Sequence, residues 1–132
     1  MEQGLPSTVL IVEDEIMVAV DLADYLTEAG YRVIGPINNL VDALRVGAAE
    51  KFDAALLDAN LQGQTVEELA TVLSRRNIPF AFVTGYGREM LPPAFQHMPL
   101  VAKPYAHPQL REVLDILLYN NHAGPSQRLP SA

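Results

Sequence analysis

Cysteine is absent from the 132-residue chain, so neither disulfides nor thiolate metal sites are available. Lysine is scarce: Lys51 and Lys103 are the only two. Sixteen acids against nine bases leave a net charge of −7. With no basic run, the chain is a poor candidate for direct nucleic-acid binding and suits cations or basic protein faces instead. Long apolar runs are missing as well, and no stretch approaches a membrane span. The start, MEQGLPSTVLIV, lacks a basic region and its apolar run stops at Glu13, so no secretory signal is expected and the expected location is cytoplasmic.

What is there is an ordinary globular composition, 49% hydrophobic and 19% charged, at the length of one domain with a core of its own. TVLIVE (8–13) reads as a strand buried on both faces. After Asp14 the period lengthens, with Ile16, Val20, Leu22, Ala23, Leu26 and Ala29 expected on one helical face before Gly30 closes the helix. YRVIGP (31–36) is a second strand, and Asn38 or Asn39 caps a second helix to about Lys51, with Leu40, Val41, Leu44 and Ala48 inward. DAALLD (53–58) is the third strand, and 65–76 a helix carrying Val66, Leu69, Ala70, Val72 and Leu73 inward. PFAFVT (79–84) is the fourth strand and MPLVAK (98–103) the fifth; between them Pro92-Pro93 confines any helix to a turn or two. A last helix over 106–120 turns Leu110, Val113, Leu114, Leu117 and Leu118 inward. The expected organisation is a loose leader over 1–7, one α/β domain over 8–121 and a disordered tail over 122–132.

Strands alternating with helices imply a parallel sheet covered on both faces, and function in such sheets gathers beyond the carboxyl ends of the strands. Those ends deliver Glu13 and Asp14, then Asp58, then Thr84, then Lys103. Each has a plainer reading when taken alone. Glu13 and Asp14 suit a helix N-terminus, Asp58 is an ordinary turn residue, Thr84 is common in strands, and Lys103 could sit at a solvated strand end. Their order along successive strands is what favours one converged site.

The set VLIVEDE, ALLDANLQG, FVTGYG and VAKPY resembles the receiver domain of bacterial two-component response regulators, over roughly residues 8–120. PFAFVTGYG with KPY is similar to the single-domain receivers nicknamed FATGUY, known from alphaproteobacterial stress signalling. The resemblance implies a flavodoxin-like, doubly wound five-stranded parallel sheet of order 2-1-3-4-5, with a short or irregular fourth helix. It implies phosphorylation of Asp58 by a histidine kinase. Asp58 would be the nucleophile, and Mg²⁺ would neutralise and align the phosphoryl oxygens. Asp14 and Asp58 would bind the metal, Glu13 through a water and Asn60 through its backbone carbonyl. Lys103 would meet one phosphate oxygen and Thr84 another, with Gly85 leaving the phosphate approachable.

Three departures from the family stand out. The strand-five position that usually carries a switch Phe or Tyr is Leu100, and the aromatic follows the lysine, at Tyr105. The segment between Thr84 and Lys103 is compressed. The loop after Asp58 has Gln62 where a proline is usual. The expected function is a stand-alone receiver acting by protein contact, as a monomer or weak dimer. Its partners would be a histidine kinase and a histidine phosphotransfer protein or another regulated protein, with neither nucleic acid nor membrane. It would assist its own phosphorylation and dephosphorylation without independent turnover. Two alternatives within reach are a phosphate relay or sink and a metal-dependent aspartyl-phosphate hydrolase. A hydrolase would place its nucleophile after the first strand, and a flavin module would be repelled by Glu13-Asp14-Glu15. His97, His107 and His122 show no paired spacing and read as solvated.

Overall fold

A computed structural model describes residues 6–127, with side-chain surroundings over 6–119. The chain alternates β1 (Thr8–Val12), α1 (Ile16–Glu28), β2 (Arg32–Ile37), α2 (Leu40–Ala49) and β3 (Ala54–Leu57). There follow β4 (Asn60–Leu61), β5 (Gln64–Thr65), α3 (Glu67–Arg75), β6 (Phe80–Thr84), β7 (Leu100–Ala102) and α4 (His107–Gln127). Five strands pair in the order β2-β1-β3-β6-β7, all parallel, which is the flavodoxin-like 2-1-3-4-5 arrangement of the principal strands.

The apolar runs of β1, β3 and β6 are buried along their whole length because helices cover both faces. Leu10, Val12, Ala55, Leu57, Phe80 and Phe82 face α2 and α3, while Val9, Ile11, Ala54, Leu56, Ala81 and Val83 face α1 and α4. β2 is the weaker edge. Its register against β1 shifts between Leu10 and Val12, where Gly35 adopts φ +97 and any Cβ would stand 2.6 Å from the Ile11 carbonyl oxygen.

Two helix faces differ from the sequence expectation. In α1 the buried stripe is Ala19, Leu22 and Leu26, whereas Ile16 and Val20 are 77% and 52% exposed and Ala29 is exposed too. The first turn stands at the carboxyl edge of the sheet, where apolar side chains find no strand beneath them. In α2 the buried residues are Ala43 and Gly47, with Val41 and Ala48 outward. A Cβ on Gly47 would lie 2.7 Å from Leu69 Cδ1, so α2 approaches α3 closely at this glycine, while Leu40 and Leu44 pack partly buried against the same core as expected. Asn39 is the cap: its Oδ1 accepts from the Asp42 N–H at 2.8 Å.

No α-helix joins β6 to β7. Two 3-10 turns, Arg88–Met90 and Pro93–Phe95, take its place, as the prolines led one to expect. Residues 122–127, placed in the tail by their composition, carry helical backbone, since lengthening a helix needs no new nucleus. Of the leader expected over 1–7 and the tail expected over 122–132, residues 1–5 and 128–132 lie outside the described residues, while the Ser7 carbonyl accepts from the Arg32 N–H at 2.9 Å. Among the described residues no helix is long and apolar enough to cross a membrane.

Candidate functional site

The sheet's own hydrogen bonding carries the site residues. The Asp58 N–H donates to the Val12 carbonyl, the Lys103 N–H to the Thr84 carbonyl and the Glu13 N–H to the Ile37 carbonyl, each at 2.9 Å. The ladder thus runs one step past the strands and fixes the backbone at Glu13, Asp58 and Lys103. Among the described residues, the buried polar side chains are Glu13, Asp58 and Thr84, and all lie at this edge.

Glu13, Asp14 and Asp58 each bring one carboxylate oxygen within 4.8 Å of the others. Glu13 is 1% exposed and Asp58 6%, so their charges are costly to hold together. Burial, then the hydrogen bond to Asp58 and its charge, pushes the Glu13 carboxyl up to about 7, against the lowering effect of the Glu15 N–H and Lys103. Glu13 Oε2 accepts from the Glu15 N–H at 3.1 Å. Its Oε1 lies 3.1 Å from Lys103 Nζ but in no hydrogen-bonding geometry, which leaves a buried carboxylate oxygen without a bonded donor.

Lys103 Nζ lies 3.2 Å from Glu13 Oε2, 2.6 Å from Glu15 Oε1 and 3.4 Å from Asp58 Oδ2. Burial works against its charge, but the hydrogen bonds to Glu15 and Glu13 and the Asp58 charge outweigh it and push the ammonium up to about 12.

A family model described as the response regulator receiver domain matches residues 9–115. The chain belongs to the response regulator receiver family. It is 26% identical over 91 residues to the transcriptional regulatory protein PdtaR of Mycobacterium tuberculosis (strain ATCC 25618 / H37Rv), covering 68% of this chain and 44% of that one. It is 26% identical over 124 residues to the phyllosphere-induced regulator PhyR of Methylorubrum extorquens, covering 87% of this chain and 45% of the relative. The chain thus spans about half the length of the curated relatives it matches. Among solved structures, SdrG from Sphingomonas melonis Fr1 superposes with a TM-score of 0.76 at 33% identity, over 88% of this chain and 99% of that one. The signal receiver domain of a modulated diguanylate cyclase from Desulfovibrio desulfuricans G20 superposes at 0.79 with 27% identity, over 91% and 99%.

In this receiver the loop after Asp58 is a small antiparallel hairpin of β4 and β5, which periodicity had not suggested. Gln62 and Gly63 form its turn with φ of 53 and 81, both in the left-handed region. The Gln62 N–H donates to Asp14 Oδ2 at 2.8 Å. A proline there could neither adopt that φ nor supply that donor, so the departure at Gln62 has a structural use. The Asn60 N–H donates to Asp58 Oδ1 at 3.2 Å, and Asn60 Oδ1 accepts from the Gly63 N–H at 2.9 Å.

An open pocket lies over these groups, lined by Asp14, Asp58, Asn60, Gly85, Tyr86 and Lys103 among others. A Cβ on Gly85 would meet no atom within 4 Å, so the glycine leaves room rather than relieving a clash. Thr84 Oγ1 accepts from the Tyr86 N–H at 3.2 Å. The structure therefore gathers Glu13, Asp14, Asp58, Asn60, Thr84 and Lys103 at one edge. Sequence reasoning missed the Lys103–Glu15 contact, although Glu15 opens the same helix. It also missed a cluster beside the pocket: Asp21 accepts from the Tyr105 hydroxyl at 2.8 Å and lies 3.1 Å from His107 Nε2. His107, read as a solvated loop or helix-end residue, is exposed at the start of α4 and also partnered by Asp21; His97 is exposed, and the side chain of His122 lies outside the described surroundings.

Proposed function

We propose that this receiver accepts a phosphoryl group on Asp58 from a phosphohistidine of a histidine kinase and signals by protein contact. The observation that carries this reading is a buried carboxylate, Asp58, 3.4 Å from the Lys103 ammonium, with both lining an open pocket beside Gly85. A carboxylate oxygen of Asp58 bonds to phosphorus as the phosphorus–nitrogen bond breaks. The electron pair returns to the ring, which is protonated on its other nitrogen and so leaves as neutral imidazole, and an acyl phosphate remains. Lys103 holds a phosphoryl oxygen. Thr84, whose hydroxyl proton is not engaged as a donor to protein among the described residues, turns to donate to another.

The donor set fits Mg²⁺: clustered hard oxygens, including the buried Glu13 Oε1 that lacks a bonded donor. Asp14, Asp58 and the Asn60 carbonyl would hold the ion, with Glu13 through a water. When bound, it supplies positive charge and alignment for the phosphoryl oxygens. The apolar residues Ile16, Met17 and Val20, exposed on α1 near the pocket rim, offer a surface for a protein partner. The test is ¹⁹F NMR with beryllofluoride and Mg²⁺. Wild-type protein should give a bound fluoride signal that Asp58→Asn lacks; no signal from wild type would count against the proposal.

A further inference from the structure

We propose that Tyr105, tied to Asp21 of α1 and set beside His107 of α4, transmits the state of Asp58 to the α1–α4 face. This rests on the reading of Asp58 as phosphoacceptor. The position on β7 where a ring would be expected to move is Leu100, a partly buried aliphatic packed on the α2–α3 side of the sheet. It has no ring to rotate. Tyr105 lies on the other side, packed against the cluster beneath α1 and α4.

Its hydroxyl donates to Asp21 Oδ2 at 2.8 Å, and the same carboxylate stands 3.1 and 3.2 Å from His107 Nε2. The His107 ring is 4.4 Å from that of Tyr25, also on α1, and 6.4 Å from that of Tyr105. One carboxylate thus binds the strand-end loop and the start of α4 to α1. Burial and Asp21 together push the Tyr105 hydroxyl well above its ordinary range, so the proton stays in the bond.

Lys103 is joined to Tyr105 through Pro104, whose ring restricts the backbone between them. The loop consequently holds α1 at two points: Lys103 at Glu15, the N-cap of α1, and Tyr105 at Asp21 further along. A phosphoryl group on Asp58 replaces the single carboxylate charge with about two, set further out where Lys103 already reaches. Drawing the ammonium toward it releases Glu15 and shifts the loop against α1. The Tyr105–Asp21 bond then passes that shift to α1. Met17, Val18, Pro104 and Tyr105 line the shallow groove between the two, so its shape follows.

The experiment is ¹⁵N NMR of wild type, Tyr105→Phe and Asp21→Ala, each with and without beryllofluoride and Mg²⁺. In wild type, amides at 58–60 and 84–86 report occupancy of the site, and those at 16–22 and 107–110 should shift with them. In both variants the site amides should respond as before, while the shifts at 16–22 and 107–110 fall to less than half. Undisturbed amides in β2 and α2 would show that the variants fold. Full retention of the α1 response in Tyr105→Phe would overturn the inference, as would a wild type whose site responds while α1 does not. A wild type silent at 58–60 and 84–86 overturns the phosphoacceptor reading itself, and this inference with it.

Discussion

Lys103 Nζ lies 2.6 Å from Glu15 Oε1, closer than to Glu13 or to Asp58, the residue it faces across the sheet edge. Distance is a poor guide to strength here, because the Glu15 side chain is 61% exposed and such pairs are worth about 0–1 kcal/mol. The buried contacts hold the ammonium in place, and Glu15 is the partner it can leave at little cost. Lys103→Ala should slow phosphorylation by acetyl phosphate about ten- to a hundredfold, the equivalent of one charge-assisted hydrogen bond. Glu15→Gln should change the rate by less than about threefold. Rates of phosphoprotein formation on the two variants check this, and equal losses would contradict it.

Burial of Glu13 gives stability without divalent cation a pH-dependent contribution. Its carboxyl is raised from 4.5 to about 7, chiefly by burial, so the folded state keeps a proton that the unfolded chain has given up. The resulting contribution to stability is complete below about 4.5 and is lost as pH rises through about 7. Urea unfolding in EDTA should show wild type losing stability relative to Glu13→Gln across that window. Mg²⁺ competes with the same proton, so its affinity, followed by calorimetry, should rise over the same pH range.

The hairpin turn yields a stability prediction. Gln62→Pro would require φ near −65 where the chain has 53, and removes the donor to Asp14. It should destabilise the fold by about 1–3 kcal/mol in urea unfolding. Gln62→Gly keeps both the N–H and the turn geometry and should be close to neutral. Equal stability of the Pro variant and wild type would contradict the assigned turn.

Much of this molecule could be read from its residues because buried parallel strands have a simple signature. The runs VLIV, AALL and FAFV leave no room for a polar face, and whatever polar residue follows each must emerge at the same edge. That logic alone brings Glu13, Asp58, Thr84 and Lys103 to one edge. The helix faces were harder. Apolar periodicity in α1 cannot distinguish Ile16, which overhangs the edge, from Leu22, which is buried under it. The β4–β5 hairpin has strands too short for any period to register. The Asp21–Tyr105 bond joins positions 84 apart, and only the packing of α1 beside the start of α4 brings them together.

The segment after Thr84 is the place where a change of state should be visible in exchange. Residues 85–90 are exposed, while Leu91 and Phe95 anchor the next turn in the core. Arg88 braces the segment by donating to the Gln96 and Met98 carbonyls at 2.9 and 2.6 Å. If Thr84 turns toward a phosphoryl oxygen as proposed, the Tyr86 N–H would lose its acceptor and residues 85–90 would rearrange about the anchored turn. Hydrogen exchange should change across 85–90 on addition of beryllofluoride and Mg²⁺. Identical exchange throughout 85–97 would contradict this.

Whether Asp58 is the phosphoacceptor is decided by intact-protein mass after incubation with acetyl phosphate. Wild type should gain one phosphoryl group with Mg²⁺ and little without it, and Asp58→Asn should gain none. A gain that survives in Asp58→Asn, or one indifferent to Mg²⁺, would rule out Asp58 as the Mg²⁺-assisted phosphoacceptor.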